Sequence, residues 1–217
     1  MRKFLVLLFV FACYLQMYAA PVKFTFSGTV RYTMFSPDNP FETAIQNGTQ
    51  LTGNFIFDSQ SPDTFPYPDP NTGTYVSSGG PYGMMVNIGG MMLAIPTVAI
   101  YVENDSNGHD WYSASAEAGN QADQQDYLLL ELYLDNDGGT VFKDDSLPLM
   151  PPALSYFESG LSTHGFAIIG QQTKNGVFYQ FEIDAHLDHF GIPEPASFVI
   201  FGGGLLVFAV RVRRIVH

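Results

Sequence analysis

Two short acidic stretches carry the residue types best suited to chemistry in this chain. "ENDSNGHD" (103–110) sets Glu103, Asp105 and Asn107 at alternate positions ahead of Gly108. "YLDNDGGTVFKDD" (133–145) sets Asp135 and Asp137 ahead of Gly138, with Asp144 further on. Calcium takes about six to eight oxygen ligands, and its loops use carboxylates two residues apart on a glycine-containing turn. Glu103, Asp105, Asn107, Asp135, Asp137 and Asp144 are therefore candidate Ca2+ ligands. Neither stretch completes an EF-hand loop. Ala114 stands where the final Glu of the first belongs, and Tyr133 occupies the first ligand position of the second. Asp, Asn and Gly also build plain turns.

Trp111, the only tryptophan, directly follows the first acidic turn, and Tyr112 is next to it. Aromatic rings on such a segment can stack on sugar rings while nearby carboxylates bond the hydroxyls. The alternative is a Trp anchoring the interior. Asp184, His186 and Asp188 alternate near the end of the chain, with His189 adjacent. One strand can offer zinc two ligands at that spacing, and zinc needs three or four, so a solvated polar face is the plainer reading. The chain has no G-x-S-x-G elbow and no H-E-x-x-H helix, and its one cysteine is Cys13. No catalytic residue is assigned and the protein is read as not an enzyme. A secreted hydrolase is the last of the readings considered.

These residues need strands to position them. Val22, Phe24, Phe26, Val30 and Tyr32 alternate with Lys23, Thr25, Ser27, Thr29 and Arg31. Leu51, Phe55 and Phe57 share a second face, Leu128 through Leu134 a third, and Phe181 through Leu187 a fourth. Period two is the mark of half-buried strands. Asn47-Gly48, Gly89-Gly90 and Asn175-Gly176 separate strand-like runs and suit the positive backbone angles of tight hairpins. With 14 prolines and 21 glycines, long helices have little room. The expectation is an all-β, antiparallel β-sandwich of jelly-roll type over residues 21–191, with a β-barrel as the alternative. Two proline-rich connections, 58–73 and 142–160, interrupt the strands as surface crossovers.

The charge sets limits on partners. Residues 21–192 hold four basic side chains against 20 acids, a net of −16. Such a surface repels nucleic acid, which excludes that class of partner. Residues 1–20 have Arg2 and Lys3, an apolar run and the small pair Ala19-Ala20, the layout of a signal peptide for signal peptidase. The segment expected to be removed contains Cys13, so the exported part has no thiol.

The other end, 192–217, has Pro193-Glu194-Pro195, an apolar run from Ala196 to Val210, and Arg211, Arg213 and Arg214. Its 15 or so apolar or small residues reach about 22 Å as a helix, short of the ~30 Å hydrocarbon core. The arginines would hold their side in the cytoplasm. This combination resembles the PEP-CTERM sorting signal of exported proteins in exopolysaccharide-producing Gram-negative bacteria. The resemblance implies recognition of Pro193, Glu194 and Pro195 by an exosortase and a single transmembrane sorting helix stopped by Arg211, Arg213 and Arg214. It also implies transient inner-membrane anchoring and final delivery to the cell surface or the extracellular matrix of a biofilm. Segments such as "LTGNFIFDSQSPDTFP" and "LDNDGGTVFKDDSLPL" are similar to β-rich regions of other PEP-CTERM proteins, which implies one domain and no activity. The functional expectation is a structural or adhesive protein sorted by exosortase among extracellular polysaccharide. The alternative is a carbohydrate- or calcium-binding module.

Overall fold

The computed structural model describes residues 20–37, 39, 41–65, 69–119, 126–158, 163–174 and 176–193. The expected signal peptide up to Ala19, Glu194, Pro195 and the expected sorting helix with Arg211, Arg213 and Arg214 lie outside the described residues. Ten strands follow one another: β1 (Pro21–Phe35), β2 (Gln50–Asp58), β3 (Thr72–Ser78), β4 (Gly83–Ile88), β5 (Met91–Ile95), β6 (Thr97–Ser106), β7 (His109–Gly119), β8 (Tyr127–Asn136), β9 (Thr163–Lys174) and β10 (Val177–Gly191). A 3₁₀ turn at Leu154–Phe157 precedes β9. Among the described residues, no helix is long and apolar enough to cross a membrane.

All ten strands join a single antiparallel sheet in the order β3-β6-β7-β8-β9-β10-β1-β2-β4-β5. The all-β, antiparallel expectation therefore holds, but the strands do not divide into the two sheets of a sandwich. One sheet curls until its own halves face each other, with β4 touching β6 and β7, and β5 touching β7. The curl is that of a half-barrel, nearer to the barrel alternative, and its end strands β3 and β5 do not pair. The physical reason lies in the central strands. β1 and β10 are 15 residues each, and their ladder is offset twice, between Ser27 and Gly28 and between Val30 and Tyr32. Bulges of this kind bend a strand and add right-handed twist, so a long sheet coils instead of splitting.

Inward positions fill the concave side. Phe24 sits edge-on to Phe55, Phe57 and Phe190 at centroid distances of 5.5, 5.2 and 5.5 Å, the arrangement ring quadrupoles favour. Phe166, Ile100, Leu130 and Tyr112 are fully enclosed beside them. The bulge at Arg31 breaks the expected alternation of β1. Val30 points inward, but Tyr32 is 47% exposed and Phe35 packs on the core.

The two proline-rich connections close onto the sheet. The first covers the β3 edge: Asp63 bridges Tyr75, and Thr64 N–H donates to the Thr74 carbonyl at 2.7 Å. The second receives the Tyr75 hydroxyl on its Asp145 carbonyl at 2.9 Å and buries Phe157.

Candidate functional site

The two acidic stretches meet at one end of the sheet. The β6–β7 hairpin turns at Asn107-Gly108, with φ of 54° and 84°. Both are left-handed values that Asn and Gly tolerate best, as a two-residue hairpin requires. Asp105 also has a positive φ, 51°, where the ladder is offset between Glu103 and Ser106. Just inside the hairpin, Asp110 is completely buried. Its Oδ1 accepts the Asp105 N–H at 2.8 Å, and its Oδ2 accepts the N–H groups of Val141 and Phe142 at 2.5 and 2.9 Å. One carboxylate thus ties the first acidic turn to the segment that follows the second. Asp110 is not among the candidate ligands that the spacing of the acidic turns suggests.

Four of the six candidate calcium ligands have protein partners. Asp135 and Asp137 flank the two ring nitrogens of His109, at 3.5 Å from Nδ1 and 3.3 Å from Nε2. Glu103 accepts the Tyr101 hydroxyl at 3.0 Å. Asp144 closes a local turn by accepting the Ser146 N–H at 3.1 Å and its hydroxyl. Asn107 is at the hairpin tip. Among the described residues, no three or more His, Cys, Asp and Glu side chains are placed to hold a metal ion.

The aromatic pair changes its membership. Asp110, Tyr112, Ala114 and Ala116 of β7 face the core, which puts Trp111 on the outer face. Tyr112 is fully buried and its hydroxyl lacks a partner among the described residues, so it cannot meet a ligand beside Trp111. Burial holds that hydroxyl well above the ordinary tyrosine range. Tyr133, one strand over on β8, takes its place. Its ring lies within 7° of parallel to the indole, with centroids 6.1 Å apart. Tyr133 is aimed by what lies beneath it. Opposite on β9 is Gly165, where a Cβ would come 2.4 Å from the Tyr133 hydroxyl, so only a glycine leaves the ring room to lie across the strand.

Beyond Gly165 the ring ends on charged groups. Tyr133 Oη donates to Asp184 Oδ1 at 3.3 Å and accepts from Arg31 Nη2 at 2.8 Å, while the same Nη2 reaches Asp184 Oδ2 at 3.0 Å. Partial burial, then the Asp184 charge, raises the Tyr133 hydroxyl pKa; the Asp184 hydrogen bond raises that of Arg31. Both therefore stay protonated. Arg31 is 46% exposed and Asp184 25%. Further along, Asp188 accepts the Thr29 hydroxyl at 2.7 Å, and Gln50 Nε2 donates to Thr29 at 2.9 Å. The Asp184–His186–Asp188 stripe thus serves separate neighbours, Asp184 meeting Arg31 and Tyr133 and Asp188 meeting Thr29. His186 meets His164, with ring centroids 4.5 Å apart. His164 is only 4% exposed and its Nδ1 has no partner among the described residues.

At the other end of the sheet a groove of about 460 Å³ opens between Phe41, Leu93, Leu128 and Phe181. None of the sequence-derived site residues lines it.

The sheet stops where the C-terminal signal begins. Gly191 is the last residue of β10, paired with Thr25, whose hydroxyl donates to the Gly191 carbonyl at 3.2 Å. Ile192 and Pro193 follow, both exposed. No curated protein and no solved structure matches the chain. Residues 191–214 match the PEP-CTERM protein-sorting motif, the recognition signal for exosortase, which indicates export and sorting to the cell surface. The chain carries a PEP-CTERM protein-sorting motif that begins at Gly191, the last residue of β10.

Proposed function

We propose that this protein is a structural or adhesive component of the exopolysaccharide matrix, delivered by exosortase. Signal peptidase removes the first 20 or so residues. The apolar run after Pro195 then pauses in the inner membrane with Arg211, Arg213 and Arg214 inside, and processing at Pro193-Glu194-Pro195 releases the sheet outward. One observation carries this reading. The sorting motif starts at residue 191, and the last ladder pair of β10 is Gly191 with Thr25, so cleavage beyond Pro193 takes no strand residue from the fold. The net of −16 over residues 21–192 also suits an extracellular surface that must stay soluble.

The test replaces Pro193, Glu194 and Pro195 with alanine in a host that has an exosortase. An uncleaved precursor held in the membrane is expected. Processing and release at the wild-type rate would overturn the sorting reading.

A further inference from the structure

We propose that Trp111 and Tyr133, with Asp184 and Arg31 behind them, form a docking strip for a neutral pyranose polysaccharide. This rests on the reading of the protein as a matrix component and names the ligand class for one face of it.

Four features of the outer face support the assignment. First, the rings are parallel without covering each other. At a van der Waals separation of about 3.5 Å, a centroid distance of 6.1 Å leaves a slip of about 5 Å. Most of each ring therefore lacks the other above it, and both residues keep part of their surface in solvent. Two nearly parallel, offset aromatic surfaces suit the apolar C–H faces of successive sugar rings.

Second, the hydroxyl-bonding groups flank the rings on both sides. Trp111 is paired across the ladder with Glu103 on β6 and Asp135 on β8. Tyr133 leads to Asp184 and Arg31, whose side chains remain partly exposed. Carboxylate and guanidinium groups together offer acceptors and donors to neighbouring hydroxyls.

Third, the strip has length. From β7 to β1 it crosses four strand spacings, about 19 Å, enough for a run of sugars. Fourth, the charge selects among glycans. Glu103, Asp135 and Asp184 line the strip with, among the described residues, Arg31 as the cation beside them, in a domain of net −16. A polyuronate or sulfated chain would be repelled, whereas an uncharged one would not.

Trp111 is the only tryptophan, so its emission reports this strip directly. The full-length chain in a sugar-free zwitterionic detergent is titrated with four neutral glycans (cellohexaose, dextran, mannan and xylan) and with polygalacturonate. A saturable emission change with at least one neutral glycan and none with polygalacturonate is expected. By calorimetry, Trp111→Ala and Tyr133→Ala should weaken that binding about tenfold each. Trp111→Phe should recover part of the loss. If Tyr133→Ala lowers the melting temperature, Arg31→Gln replaces it as the probe of the same strip, with at least a threefold loss expected. Absence of a saturable response to all four neutral glycans, or wild-type affinity in Trp111→Ala, would overturn the proposal. The assay uses purified protein, so a failure here leaves the sorting reading standing, and normal processing of the alanine precursor leaves this strip standing.

Discussion

Asp110 offers the most quantitative test of how the site end of the sheet is held. It is fully buried and accepts three backbone N–H bonds, from Asp105, Val141 and Phe142. Hydrogen bonds to a charged group contribute about 1.5–3 kcal/mol each, and a buried donor left without a partner costs about 1–3 kcal/mol. The three share one carboxylate, so the losses do not simply add. Asp110→Ala should destabilise by about 3–5 kcal/mol, because it leaves three backbone N–H donors without their acceptor. Asp110→Asn keeps the shape and one acceptor oxygen. With that oxygen toward Val141 and Phe142, its NH₂ faces the Asp105 N–H, and a loss of about 2 kcal/mol is expected. For a domain of this size, each kcal/mol corresponds to about 2–4 °C in melting temperature. Urea denaturation followed by circular dichroism measures both variants, with the m-value unchanged if the unfolded state is unaltered. Trp111 is the next residue, so its emission should report loosening of the hairpin in Asp110→Ala before global unfolding. A loss below about 1 kcal/mol in Asp110→Ala would refute the idea that this carboxylate fastens the two acidic segments together.

His164 predicts a pH dependence. Burial, then the neighbouring His186 and Arg31, lowers its pKa below the ordinary histidine value of 6.5, while Glu158 and Asp188 act in the opposite sense. A base whose folded pKa is depressed binds fewer protons folded than unfolded, so stability is full above about pH 7.5 and falls as pH drops through 6.5. The melting temperature should show that fall, and His164→Gln should flatten it; an unchanged slope in the variant would count against the assignment. Tyr112→Phe removes a buried hydroxyl that has no partner among the described residues and should leave stability unchanged or raise it by up to about 1 kcal/mol. A loss above 1 kcal/mol on urea titration would mean that the hydroxyl is bonded after all.

Much of the fold could be read from alternation, because period two survives wherever a strand is straight. Leu128 to Leu134 and Phe181 to Leu187 keep the faces their spacing assigns them. Where the ladder slips, the pattern fails: Tyr32 was expected inward with Val30, and the extra residue at Arg31 turned it out. That same slip brings Arg31 beside Tyr133, a neighbour 102 residues away. Local sequence carries no signal for it. The Tyr112 error was avoidable. Ala114 and Ala116 set the inward phase of β7, and counting back two positions puts Tyr112 in the core and Trp111 outside. Whether ten strands make two sheets or one depends on which distant strands share hydrogen bonds. The pairing of β10 with both β1 and β9 settles that here, and no turn motif encodes it. The acidic stretches were recognised as neighbours of a turn, but their conversion into a His109 clamp and an Asp110 anchor needed the loop after β8 to fold back.

The most direct measurement for the account is the intact mass of the protein recovered from the cell surface or medium of a host that has an exosortase. The expected species has lost the segment up to about Ala20 and everything beyond the Pro193-Glu194-Pro195 region, with the sheet from β1 to β10 complete. A recovered mass that still includes Cys13 or the arginines at 211, 213 and 214 would contradict it.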